Sequence, residues 1–142
     1  MRAFIFPGQG SQKIGMGTEL AEASAAARDV FGEVDEALKQ NLSKLMREGP
    51  EDRLTLTENA QPAIMANAIA TLKVLERDFG VKLLSTANCV AGHSLGEYTA
   101  LASIGAFSLA DTARLLKLRG WAMQAAVPVG EGTMAVLLGA DI

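Results

Sequence analysis

Cysteine, histidine, tryptophan and tyrosine occur once each among the 142 residues, and the scarcity of the first two limits the available chemistry. A lone thiol, Cys89, can form neither an internal disulfide nor a cysteine-based zinc site, which points to a reducing, cytoplasmic setting. Basic residues are not in surplus. Thirteen Lys and Arg stand against 16 Asp and Glu, a net charge of −3, so the chain carries no global footprint of a nucleic-acid binder. Long hydrophobic runs are missing as well. Stretches such as Ala135-Val136-Leu137-Leu138 fall far short of the roughly 18 apolar residues of a membrane span. The start, Met1 to Gly8, is too briefly apolar for a signal peptide. What remains, 49% hydrophobic and 20% charged, fits a soluble globular protein of about one domain's length.

The order of apolar and turn-forming segments predicts an α/β domain with a largely parallel sheet. Ala3 to Phe6 reads as a buried strand that stops at Pro7-Gly8 and enters the loop Gly8-Gln9-Gly10-Ser11-Gln12. One helix carries Ala27, Phe31, Val34 and Leu38 on a single face, and a shorter one carries Leu42, Leu45 and Met46 before Gly49-Pro50. Pro62 suits a first helical turn, followed by an apolar stripe of Ile64, Ala68, Leu72, Leu75 and Phe79 that ends at Gly80. Cys89 to Gly92 is a second short strand, with Cys89 expected as a small buried hydrophobe. Small residues from Thr99 to Ile104 suggest a tightly packed helix closed by Gly105. Ser108 and Asp111 form a capping box for a long helix reaching about Val127. Met134 to Leu138 begins another apolar strand with nothing after it to pair or cover it. The expectation is therefore a chain that continues past Ile142, with 1–130 as an incomplete large domain and 131–142 as the start of a second.

Gly92-His93-Ser94-Leu95-Gly96 fits G-x-S-x-G, a sharp strand-to-helix turn that lifts a serine out of a sheet. The flanking glycines are needed because such a turn leaves no room for Cβ atoms against the neighbouring strand and helix. Ser94 would then sit at a helix N-terminus, where free N–H groups and the dipole favour developing negative charge. The N–H of Leu95 is placed to donate to an oxyanion. The plainer reading is an ordinary turn with a capping serine. A nucleophilic serine needs a base within hydrogen-bond reach. The only histidine, His93, is its immediate neighbour on a tight turn, where adjacent side chains diverge, so His93 reads as a structural residue flanking the site. The base is expected outside these 142 residues.

The Gly8–Gln12 loop departs from dinucleotide and phosphate patterns: Lys13 stands where G-x-G-x-x-G requires glycine, and no G-K-[ST] follows. It can instead bring backbone N–H groups close to a substrate, with Gln9 or Gln12 as side-chain donors, or it can be a plain turn. In the Ser108–Val127 helix, Leu109, Ala113, Leu116, Gly120, Met123 and Val127 define an apolar arc that Leu115 and Ala122 extend, with Asp111, Arg114 and Lys117 opposite. Arg119 falls inside the extended arc, and a buried unpaired guanidinium is very costly. No acid faces it at helical spacing. It either awaits a ligand carboxylate, which its planar fork would hold bidentately, or snorkels outward, or pairs with an acid elsewhere in the fold. Trp121 lies on the polar side of the same helix.

Phe6-Pro7-Gly8-Gln9-Gly10-Ser11-Gln12, Asn59-Ala60-Gln61-Pro62-Ala63, Gly92-His93-Ser94-Leu95-Gly96-Glu97-Tyr98 and Leu118-Arg119-Gly120 occur in the order and spacing of one family. The chain resembles bacterial malonyl-CoA:acyl-carrier-protein transacylases and the acyltransferase domains of polyketide and fatty-acid synthases. The resemblance implies an α/β-hydrolase-like large domain with a nucleophile elbow, and a ferredoxin-like small domain beginning near Met134. It implies Ser94 as the acyl-accepting nucleophile, the backbone N–H groups of Gln9 and Leu95 as oxyanion hole, Arg119 as the grip on the malonyl carboxylate, and His93 in support at the substrate. Malonyl-CoA and acyl carrier protein would be the partners, with no metal or redox cofactor, no nucleic acid and no membrane. A missing C-terminal half would supply the catalytic histidine. Two rivals are a serine esterase or lipase with the same elbow, which gives no reason for Arg119 or the Gln9 loop, and an inactive fragment.

Overall fold

A computed structural model of the chain describes residues 1–132 and Gly139. The strand expected over Met134–Leu138, and with it the start of a ferredoxin-like second domain, lies outside the described residues. What is described is a mostly helical α/β arrangement built on a two-stranded parallel sheet. Strand β1 (Ala3–Phe6) pairs with β2 (Cys89–Gly92) in a register running from Ala3 opposite Cys89 to Phe6 opposite Gly92. The helices are α1 (Thr18–Ala23), α2 (Ala25–Leu38), α3 (Leu42–Glu48), α4 (Glu51–Thr55), α5 (Thr57–Phe79), α6 (Leu83–Thr86), α7 (Leu95–Ser103) and α8 (Leu109–Ala126). None of them is long and apolar enough to cross a membrane.

The two strands, expected to be buried, are covered on one face only. Because successive residues point to opposite faces of a strand, Phe4, Phe6, Val90 and Gly92 face inward while Ala3, Ile5, Cys89 and Ala91 are exposed. Cys89 is thus not the buried hydrophobe its strand context suggests.

Helix α5 is the spine of the molecule, packed against α2, α7 and α8. Its first half is buried on nearly every side, from Asn59 to Ala66, and the small side chains of Ala60, Ala63 and Ala66 let neighbouring helices approach closely. Pro62, expected in a first helical turn, is the sixth residue of α5 and fully inside it. The helix starts early because Asn59 and Ala60 donate to the carbonyl of Leu56, a cap with no side-chain hydrogen bond and therefore no signature in the sequence. Burial stops at Val74, and Phe79, placed on the stripe, is 71% exposed in the last turn.

Helix α8 opens as the sequence predicts: Ser108 Oγ accepts from the Asp111 amide at 3.0 Å and donates to the Asp111 carboxylate at 2.7 Å. It buries Thr112, Ala113, Leu116 and Gly120. Leu115, Ala122 and Val127, assigned to the apolar arc, are exposed, so that arc is narrower than the wheel predicts. Lys117, assigned to the polar side, is half-buried, and its ammonium donates to Gln40 and to the buried Asn59 at 2.9 Å each. The crossing of α8 on α5 is made through Gly120, where a Cβ would lie 2.6 Å from the Thr57 carbonyl oxygen and the Glu58 Cα.

Candidate active site

The parallel register determines where the chain's polar loops emerge. Phe6 and Gly92 form the last pair, so the segments that follow them leave the sheet at the same edge. In α/β proteins this carboxyl edge is where ligands bind. The His93 amide still donates to the Phe6 carbonyl at 3.2 Å, tying the second loop to the first.

Between β2 and α7 the chain reverses within two residues. Ser94, the N-cap of α7, has φ 56° and ψ −114°, a conformation side chains disfavour. The turn closes with the Gly96 amide donating to the His93 carbonyl at 2.9 Å and the Glu97 amide to the Ser94 carbonyl at 3.1 Å. It tolerates no Cβ on either side. One at Gly92 would lie 2.0 Å from the carbonyl carbon and oxygen of Gly96, and one at Gly96 would lie 2.3 Å from the carbonyl oxygen of Phe6. Gly8 meets the other side of the turn, where a Cβ would come within 2.4 Å of His93 Nδ1. Ser94 itself is exposed, at the positive end of α7.

Of the other residues singled out by sequence, Leu95 buries its side chain completely and starts α7. Among the described residues, the amides of Gln9 and Leu95 enter no backbone hydrogen bond. The Gln9 side chain turns to Thr57 at the start of α5, donating from Nε2 to Oγ1 at 3.2 Å. Gln12 is used inside its own loop, accepting from the Gly10 amide at 2.8 Å. The exposed His93 packs beside Gly8.

Arg119 arrives from α8 and meets Ser94 directly: Nη2 donates to Ser94 Oγ at 3.0 Å. Its Nη1 donates to Gln61 Oε1 at 2.7 Å, and its Cζ stands 5.8 Å from the centre of the Tyr98 ring. Of the three alternatives for this arginine, an acid elsewhere in the fold is not the one realised among the described residues. The partner is a neutral amide, fully buried on α5. Gln61 and Tyr98 are the members of the cluster that sequence reasoning left without a role. A signal for Gln61 existed, since it sits three residues before Ile64 and four before Met65 on the buried face of α5. Chemically, the cluster sets an exposed hydroxyl beside a cation that a buried neutral amide holds. A cavity of about 520 Å³ between α1, α2 and α3 shares no residue with it.

Residues 3–140 match the acyl transferase domain family. Among curated proteins, the chain is 50% identical over 139 residues to a malonyl CoA-acyl carrier protein transacylase of Bacillus subtilis (strain 168), covering 98% of this chain and 42% of that one. Among solved structures, it is 60% identical to an acyl-carrier-protein-S-malonyltransferase from Bartonella henselae, with a TM-score of 0.87 over 92% of this chain and 41% of that one. It is also similar, at 41% identity and a TM-score of 0.82, to a malonyl-transacylase in complex with its type II PKS acyl-carrier protein, over 89% of this chain and 40% of the other. The chain thus spans about two-fifths of the length of the relatives it matches.

Proposed function

The chain belongs to the acyl transferase family, and on that premise we propose that it carries the nucleophile and the acyl-group selector of a malonyl-CoA:acyl-carrier-protein transacylase. The observation that carries this reading is the 3.0 Å approach of Arg119 to Ser94. A cation held beside the hydroxyl suits an acyl group with a free carboxylate close to its reacting carbonyl, as malonyl has. A simple esterase has no use for one.

In this mechanism Ser94 Oγ attacks the thioester carbonyl of malonyl-CoA while its proton passes to a general base. The oxyanion is received by the Gln9 and Leu95 amides, aided by the dipole of α7. The C–S bond then breaks, coenzyme A leaves as the thiol with the proton returned to it, and the malonyl group remains as a serine ester. The phosphopantetheine thiol of acyl carrier protein attacks that ester and regenerates Ser94. Arg119 releases Ser94 to grip the malonyl carboxylate, and His93 supports the turn through Gly8 without acting as base. The base, in this proposal, comes from outside these 142 residues, as does the rest of a second, ferredoxin-like domain beginning near residue 131. The crowding of Gly92, Gly96 and Gly8 supports the elbow assignment, because it explains why the turn needs those glycines.

Mass spectrometry after incubation of the completed enzyme, base included, with malonyl-CoA tests the reading. One malonyl group is expected on the peptide that contains Ser94, and none in Ser94→Ala. An ester that persists in Ser94→Ala, or maps to Ser11, overturns it.

A further inference from the structure

The inward arginine has a partner whose chemistry is unusual for such a place. Gln61 is fully buried, and its carbonyl oxygen accepts from Arg119 Nη1 at 2.7 Å while its Nε2 faces Met123 Sδ at 3.3 Å, a weak acceptor. The amide therefore spends its one good acceptor on the guanidinium. Among the described residues no carboxylate lies within ion-pair distance of Arg119. Tyr98 offers the face of its ring, and Ser94 a hydroxyl.

We infer that Gln61 is a positioning residue that determines specificity by being neutral: it fixes the guanidinium without cancelling its charge. This rests on the reading of Arg119 as the carboxylate grip. The physical requirement has two parts. A bidentate contact needs the planar fork held in one orientation, and a loose arginine would lose affinity to side-chain entropy. A glutamate at position 61 would hold the fork equally well, but it would neutralise the charge and repel an incoming carboxylate across a short, partly dry distance. An apolar residue would leave the charge intact and the fork free to turn. Only a neutral acceptor satisfies both parts, and a buried glutamine amide is one. The contact with Ser94 then falls to Nη2, and a ligand carboxylate takes the place of the hydroxyl there, using the N–H donors that Gln61 leaves free.

Two ligands separate charge recognition from shape. Malonamate has a carboxylate one carbon from a neutral carbonyl, and acetamide lacks the carboxylate. The protein, labelled with 13C and 15N at arginine, is titrated with each while the Arg119 guanidinium signal is followed, Arg119→Lys identifying that signal. Wild type should bind malonamate and ignore acetamide. Gln61→Glu should weaken malonamate by about tenfold or more, with the guanidinium signal as ordered as in wild type and the thermal unfolding midpoint not lowered. Gln61→Met should weaken it by about three- to tenfold, with a signal that reports a mobile side chain. Malonamate binding in Gln61→Glu within twofold of wild type overturns the inference, as does a Gln61→Met protein with unchanged affinity and an ordered Arg119, or a wild type that does not bind malonamate. Should Gln61→Glu fail to fold, Gln61→Met decides alone. The acyl-transfer reading stands or falls separately: malonamate binding at Arg119 with no malonyl ester on Ser94 of the completed enzyme would refute that reading and leave the charge argument intact.

Discussion

Arg119 shows how one side chain can be identified by its discomfort. A guanidinium on an otherwise apolar stretch of helix wants a partner, and the sequence offers no acid at helical spacing. On the proposed reading, its position beside Ser94 and its pairing with a neutral amide give that discomfort a use. A partly desolvated arginine–carboxylate contact contributes about 2–5 kcal/mol, part of it the cost of leaving one charge unpaired. On the proposed reading, Arg119→Ala in the full-length enzyme should therefore lower kcat/KM for malonyl-CoA by roughly 30-fold or more. Acetyl-CoA should lose little or even improve, since the half-buried cation has gone. The two specificity constants, measured in wild type and variant, decide the matter: an equal loss for both substrates makes Arg119 a structural residue. The turn that carries Ser94 was legible in the sequence because glycines at fixed spacing betray its crowding. Gln61 was legible only by its spacing to Ile64 and Met65, because a polar residue beside a proline in an alanine-rich stretch looks like a helix start. Only the packing of α8 against it gives the amide its partner.

At the scale of elements, the helices with strong periodicity or good caps were legible, and the weakly marked ones were not. Helix α2 buries Ala27, Phe31 and Val34 from the expected face, and α8 begins at its Ser108 cap. The start of α5 was misplaced because its N-cap, Leu56, contributes no side-chain hydrogen bond. Strand burial was overestimated because short apolar runs do not reveal which face a neighbour covers. The family resemblance read from four motifs agrees with the acyl transferase match over residues 3–140. The crossing of α8 on α5 makes a further prediction. A methyl group at position 120 meets backbone at 2.6 Å, and backbone cannot rotate away, so Gly120→Ala must push the helices apart. Overpacking of this kind costs about 1–3 kcal/mol. The displaced α8 carries Arg119 with it, so the preference for malonyl over acetyl thioesters should fall along with the thermal midpoint. A variant that loses stability but keeps its full preference would show that Arg119 tolerates the shift.

At the scale of the whole molecule, the site is a meeting of distant parts. The parallel register joins Ala3 to Cys89 and Phe6 to Gly92, which sets the first loop beside Ser94 only when the two ends of a long stretch of chain have come together. Closing so long a loop costs entropy that the four-residue strands repay poorly on their own. The helices between them, above all α2 and α5, must bring the ends close first. In time, then, the carboxyl edge of the sheet should be the last region to form. Pulsed hydrogen exchange during refolding can follow this, because the Asn88 amide bonds to Arg2 and the His93 amide to Phe6, across the two strands. Both should gain protection after the amides of α5, and simultaneous protection would mean that strand pairing guides the helices instead. If Ser94 is the proposed nucleophile, late assembly would have a practical meaning for the living cell: until the final step of its folding, the chain would have no reactive serine to expose.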